Sequence, residues 1–551
     1  MRRHLTGAIA LAAAATLALT ACSGSGGGEK TSSAGGTLTI LTSATQIDLD
    51  PAKSQNLAIT TLGLIERRLT TWNIQPGKQA EVVPDLATDT GTATDDGKTW
   101  TYTLKDGVKF ADGTPITAQD IKYGIERSFA PELSGGLGYH KSLLAGAQDY
   151  DGPYTDGDLG SIETPDDKTI VFHLNSSYGD WPWIASMPAF APVPKDKDDP
   201  KTYGQDPVAT GPYKVSSNKQ GTALELVRNT NWDKSTDPVR TAGPDKIVFK
   251  ESQDVSTSTQ SLISDAGSAK SSFLATYLGA AELNLVNKNP SAKERLATSE
   301  AGPISYLAMN TQRGALKDLK VRQAIEYAVD PKAFIIAQGG SQAAIRATTL
   351  ITPGIPGREE YDLYPSGDDG DVAKATQLLK EAGHADDLKL TLWVSNETSD
   401  QAQAQALEQG IERAGIDVTI KPMDINTMYT EATGDNPDYD LILGGWQPDF
   451  PSANGNIQPL FDSSEIGGGG YNLARYSNAD VDKLIDQATA ATDPAQAQKL
   501  WAQADKRIMQ DAPVVPLTYA KQSFLAGSDV ENFFVASFPA YPNYLTVTLK
   551  Q

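Results

Sequence analysis

Hydrophobic and polar residues follow two different periods in the two halves of this chain. Residues 99–104, Thr-Trp-Thr-Tyr-Thr-Leu, alternate with period two after the turn Asp96-Gly97, as a hairpin strand with one buried face does. Residues 168–174 and Ala223–Arg228 repeat that character, and residues 37–42 form the first strand. With frequent Gly and Pro turns between the runs, a β-rich middle to the N-terminal half is expected. The C-terminal half changes style. Residues 371–382 place Val372, Ala375, Leu378 and Leu379 on one helical face, with Gly383 set to end the helix. A strand over 388–394, a helix over 400–414 and a strand over 416–420 make a βαβ unit, which requires a parallel sheet. Leu441-Ile442-Leu443 reads as a short buried strand running into Gly444-Gly445-Trp446. Helices follow over 479–489 and 494–510, and an extended segment from Pro513 to Tyr519 is expected to return to the first half. No internal repeat is visible.

Composition adds a compartment. The chain has 551 residues, a formal net charge of −22 and a single cysteine, Cys22. Arg2 and Arg3 precede an apolar run over 5–18, then Leu19-Thr20-Ala21-Cys22, which is the layout of a secretory signal peptide. The apolar run is shorter than the roughly 20 residues needed to span a bilayer. Leu19 to Cys22 resembles the bacterial lipobox, in which the cysteine is lipidated and becomes the first mature residue. The alternatives are an ordinary signal peptide with an incidental Cys22, or an uncleaved signal anchor. Residues 23–36 are nearly all Ser, Gly, Lys, Glu, Thr and Ala, a flexible tether. Without disulfides the body relies on its core, and its length allows two or three domains. The strong negative charge disfavours nucleic acid and anionic lipid headgroups as partners. By itself it implies no cationic ligand, since solubility accounts for it.

Catalytic and metal-binding patterns are not found. His4, His140, His173 and His384 are far apart, and there is no His-Glu-x-x-His, cysteine pair or Gly-x-Ser-x-Gly. No enzyme, cofactor or metal is expected. One stretch stands out, Gly444-Gly445-Trp446-Gln447-Pro448-Asp449-Phe450-Pro451. Two glycines at the end of a buried strand admit close approach of backbone or ligand, and strand ends in open α/β sheets are where ligands collect. On the residues alone, the favoured reading is Asp449 as a turn-capping loop carboxylate and Trp446 as ordinary core, with a ligand role as the alternative. The run of glycines over 467–470, before Tyr471 and Asn472, suits either a surface loop or a ligand-facing one.

Five segments, in order, are similar to the family of extracellular solute-binding lipoproteins that serve peptide-importing ABC transporters. They are Leu104 to Asp120 (LKDGVKFADGTPITAQD), Gly211-Pro212-Tyr213, Val321 to Asp330 (VRQAIEYAVD), Leu378 to Gly383 (LLKEAG) and Ala512 to Leu517 (APVVPL). The first also reads structurally: tight turns at Asp106-Gly107 and Asp112-Gly113 flank a strand over 108–110, and Thr117 caps a helix with Asp120 answering it. That stretch is scaffold, not site.

The resemblance implies an α/β fold of two lobes and a hinge, periplasmic-binding-protein-like, with an additional smaller β-rich subdomain. The division expected is 1–21 leader; 22–36 lipidated cysteine and tether; 37–73, 208–303 and 518–551 first lobe; 74–207 additional subdomain; 304–517 second lobe. It implies that Asp449 pairs with a bound peptide's α-ammonium and that Trp446 packs beside it. By the same resemblance Tyr471 and Asn472 line the pocket, and Tyr306 and Tyr519 line the cleft near the two crossings. Where some oligopeptide binders have an acid two positions after Tyr306, this chain has Ala308. The protein expected is a monomeric, membrane-anchored, extracytoplasmic binding protein that presents short peptides to ABC permease subunits. The alternative ligands on the same fold are a nickel chelate, an oligosaccharide, an opine or a signalling peptide; Trp181 and Trp183 keep the sugar open.

Overall fold

The computed structural model describes residues 35–384 and 388–550. Cys22, the leader over 1–21 and the tether up to residue 34 lie outside the described residues.

Two separate sheets carry the two lobes. In the first, the strand order is Ser272–Leu274, Thr37–Leu41, Lys246–Lys250, Ala223–Arg228 and Tyr213–Lys219. Thr37–Leu41 is parallel to both neighbours, and the remaining strands meet antiparallel. Period two does its expected work here: Leu38, Ile40, Leu224, Leu226, Ile247 and Phe249 are all buried.

The second sheet has the order Ala344–Arg346, Val514–Ala520, Ile304–Met309, Leu441–Trp446, Lys389–Ser395 and Asp417–Met423. The last two strands are parallel and joined by the helix Thr398–Glu412, which buries Ala404, Leu407 and Ile411. This is the expected βαβ unit. Leu441, Ile442 and Leu443 are buried in succession, as a strand covered on both faces requires.

A third, four-stranded antiparallel sheet comprises Thr92–Thr94, Thr99–Thr103, Thr169–His173 and Ile162–Glu163. Trp100 pairs with Phe172 and Tyr102 with Ile170. Their shared face packs on Trp181 and Phe190, with Phe172 and Trp181 ring centroids 5.1 Å apart. Trp181 is therefore a core residue of this sheet.

The chain passes between the first two sheets twice, and the passages are hydrogen-bonded to each other. Ile304 pairs with Tyr519, the Ala520 amide donates to the Pro303 carbonyl at 2.7 Å, and the Ser299 amide donates to Gln522 at 2.9 Å. Leu296–Thr298 then pairs with Ser523–Leu525. Beyond this ribbon the chain runs along the first sheet, where the Gly527 amide donates to the Ser272 carbonyl and the Thr241 amide to Leu545.

Local signals are met with small shifts. Thr117 and Asp120 form a complete capping box on the helix Ala118–Arg127, and Gly107, Gly113 and Gly383 all have positive φ. The strand expected over 108–110 is only a single bridge, Lys109 to Pro115. The turn after Phe110 folds the chain back at once, with the Phe110 amide donating to Thr114 at 2.9 Å, so no ladder can extend.

Candidate functional site

The strand Leu441–Trp446 pairs antiparallel with Ile304–Met309, setting Tyr306 opposite Gly444 and Ile304 opposite Trp446. The two glycines thus lie inside the strand, not after it. A Cβ on Gly444 would come within 2.8 Å of the Tyr306 ring, so the close approach this glycine permits is that of a neighbouring side chain. Trp446 is anchored by its indole N–H, which donates to the Gly455 carbonyl at 2.6 Å, and its ring lies 5.3 Å from that of Tyr471. The loop after Trp446 is held against the helix Asn454–Phe461, with Pro448 pressed close to Gly455.

Asp449 projects from that loop, half-buried, toward the region of the four-stranded sheet. There the Tyr139 hydroxyl donates to its Oδ2 at 2.6 Å, and the Tyr139 ring meets Phe450 edge-on at 5.5 Å. Burial first, and the charge of Asp449 next, push the Tyr139 hydroxyl far above its ordinary range and keep it a donor. No ion pair holds Asp449 among the described residues. Two more contacts bridge the same two parts. Ser452 donates to Asp180 at 2.7 Å, and the Asn454 amide donates to the Tyr178 hydroxyl at 3.1 Å. Burial raises the Asp180 carboxyl to about 6.

Asp449 borders two chambers. One, of about 560 Å³, lies toward the first sheet and is lined by Asp48, Lys53, Asn56, Phe249 and Tyr544 among others. The other, of about 900 Å³, is walled by Tyr139, Tyr429, Trp446, Glu465 and Tyr471. Lys53 is the one basic side chain on either chamber among the described residues, and no ion pair engages it there.

The structure brings together Asp449, Trp446 and Tyr471, the last 42% exposed at the rim of the larger chamber. It places the other three sequence-derived residues elsewhere. Asn472 is 3% exposed, and its amide is fully engaged: it donates to the Asp462 and Tyr476 carbonyls and accepts from the Tyr476 amide. Its work is to close the loop after the glycine run. Tyr519 is 1% exposed and hydrogen-bonds through its hydroxyl to Thr349, with the Arg358 guanidinium 5.3 Å above its ring. Tyr306 is buried behind Gly444 and lines neither chamber; it supports the strand that carries Trp446. Ala308 is buried within its strand. Trp183 borders a separate cavity of about 310 Å³ beside Asp180 and Trp501.

Sequence reasoning missed Tyr139, Lys53, Tyr429 and Glu465. No local pattern marks them, because each acquires its role only by lining a chamber that Asp449 also borders. His140 is buried against Ser128, and burial depresses it to about 3, so it stays neutral. Among the described residues no group of three metal-ligating side chains occurs.

Two lobes joined by a paired ribbon, with chambers between them, make the fold of the periplasmic binding proteins. Residues 81–468 match the bacterial extracellular solute-binding proteins, family 5 (its middle part), and the chain belongs to that family. It is accordingly an extracytoplasmic substrate-binding protein of the ABC-importer type. The glutathione-binding protein GsiB of Salmonella typhimurium is 27% identical over 454 residues, 81% of this chain and 82% of that protein. The solved structure of clavulanic acid biosynthesis oligopeptide binding protein 2 is 31% identical with a TM-score of 0.84, over 94% of this chain and 96% of that one. The unliganded open form of MppA, a periplasmic murein tripeptide binding protein, is similar in fold alone, at 21% identity and a TM-score of 0.77 over 93% and 97% of the two chains.

Proposed function

We propose that this protein captures short peptides with a free amino terminus between its lobes and delivers them to an ABC permease. The observation that carries this reading is Asp449, a half-buried carboxylate between two chambers that no cation among the described residues pairs. An α-ammonium cannot enter a closing cleft unpaired, and a carboxylate already oriented by Tyr139 supplies the missing charge. Closure around the ligand excludes water and strengthens that pair. Trp446 and Tyr471 present ring faces beside it, and Lys53, in the other chamber, suits the ligand's terminal carboxylate. The names of two relatives, an oligopeptide binder and a glutathione binder, support a peptide over a nickel chelate, an oligosaccharide or an opine. The burial of Trp181 removes one of the two tryptophans that kept a sugar open.

The lobe division given above belongs to the same proposal, with the paired ribbon as hinge. So does a lipid anchor on Cys22, holding a monomer at the outer face of the cytoplasmic membrane. Cys22→Ala should release the protein from membranes; a variant still bound after a high-salt wash refutes the anchor.

Calorimetry tests the peptide claim. Asp449→Ala should weaken a peptide with a free amino terminus by about 2–5 kcal/mol, the usual loss on truncating one partner of a buried charge pair. N-acetylation should weaken binding to the wild type, and the two changes together should cost far less than their sum. Full additivity would separate the carboxylate from the ammonium.

A further inference from the structure

We infer that the larger chamber selects a second positive charge, so that the preferred peptide carries a lysine- or arginine-type side chain next to its amino terminus; this rests on the peptide reading above. The chamber is walled by four aromatic rings, Tyr139, Tyr429, Trp446 and Tyr471, and by two carboxylates, Asp449 and Glu465. Among the described residues no Lys, Arg or His lines it.

An α-ammonium satisfies Asp449 and leaves Glu465 unmatched. Glu465 is held in position by its backbone: its amide donates to Asp462 at 3.1 Å, and its carbonyl accepts from Asn472 at 3.2 Å. Among the described residues its side chain has only a long contact from the Gln458 amide, at 3.4 Å, and no ion pair. Burial first, and the neighbouring Asp462 next, raise its pKa, as expected of a carboxylate with negative surroundings and no counter-charge. Asp462 offers no relief, because its own carboxylate accepts from Ser464.

The rings add a second, independent preference. Trp446 and Tyr471 lie 5.3 Å apart at 54°, and Tyr429 and Tyr471 6.2 Å apart at 48°, so tilted faces border one space. Such faces attract a cation, and a guanidinium both stacks on them and forks onto a carboxylate. An aliphatic side chain would use the rings but desolvate Glu465 without compensation, and an acidic one would be repelled. A bound metal ion does not fit the same observations, since no third ligating side chain joins the two carboxylates among the described residues. The preference is local rather than a consequence of the net charge of −22, because the smaller chamber has Lys53 in its lining as well as Asp48 and Asp449.

The test uses the purified chain and matched peptide pairs of two to five residues, one member beginning with arginine and the other with citrulline, which has the same shape without the charge. The arginine peptides should bind about tenfold tighter or more at low salt, with the advantage shrinking as salt rises. Glu465→Gln should reduce the arginine-to-citrulline ratio at least about threefold. Equal affinity within every pair overturns the charge preference and leaves the peptide reading standing. A ratio unchanged in Glu465→Gln overturns the assignment to Glu465. Binding of no peptide of either kind overturns the peptide reading and this inference together.

Discussion

Tyr139 and Asp449, 310 residues apart in sequence, share a hydrogen bond of 2.6 Å that joins the four-stranded-sheet region to the loop after the second sheet's Leu441–Trp446 strand. The bond fixes which oxygen of the carboxylate remains for a ligand. It also ties the orientation of the candidate ligand group to the approach of two separate parts of the fold, so closure and recognition are coupled through one side chain.

Tyr139→Phe should therefore weaken peptide binding by about 1–2 kcal/mol, since the phenylalanine ring would cover Oδ2 without donating to it. The change should appear mainly as faster release, because a stabilising contact of the closed state is lost. Calorimetry with stopped-flow dissociation measures both. An unchanged affinity would show that the tyrosine does not orient the carboxylate.

Lys53→Met should abolish the preference for a free terminal carboxyl over its amide. Lys53 is the basic side chain facing the smaller chamber, and no ion pair engages it among the described residues. Comparing an acid peptide with its C-terminal amide isolates the charge from the rest of the ligand. The wild type should favour the acid by roughly 1–2 kcal/mol, within the range for hydrogen bonds to charged groups. If the variant keeps that preference, the ligand runs in some other direction.

Gly444→Ala should destabilise the protein by about 1–3 kcal/mol, the cost typical of overpacking. The added methyl would meet the Tyr306 ring at 2.8 Å, and the ring is buried with nowhere to retreat. Because Trp446 ends the same strand, ligand affinity should fall together with thermal stability. Relief by a second change, Tyr306→Leu, would identify the ring as the cause; no relief would mean that the backbone itself resists the substitution.

Closure should depend on pH through Asp180. Its carboxyl is raised by burial to about 6 from an ordinary value near 3.8, and it accepts from Ser452 across the two parts. A raised pKa means the neutral form is favoured where the group is buried. Its contribution to the closed state is thus fully present below about pH 4 and is lost as pH rises through about 6. The effect is bounded at about 3 kcal/mol. Asp180→Asn, neutral at every pH, should flatten the dependence between pH 4 and 6 in an interlobe distance measurement. A wild type whose closure is equally independent of pH in that window would contradict the assignment.

Much of the fold could be read from local pattern, and the reason is the range of the forces involved. Period two in residues 99–104 and Ala223–Arg228 and the Thr117–Asp120 cap depend on residues only a few positions apart, and the βαβ unit around the helix Thr398–Glu412 on one short stretch of chain. The glycine pair at Gly444 announced a close approach, and the structure names its partner as Tyr306, which no spacing along the chain could show. Asn472 and Tyr519 looked equally available as ligand contacts until the fold supplied Asp462, Tyr476 and Thr349 to consume their polar groups. The sequence by itself determined the elements, the acidic character and the loop in which Asp449 stands. Only the tertiary structure decided that Asp449 meets Tyr139, that Lys53 faces the smaller chamber and that Glu465 shares the larger one with four rings. Those relations are set by packing between separate loops and helices, hundreds of residues apart for Tyr139 and Lys53, and such packing leaves no periodic trace in the chain.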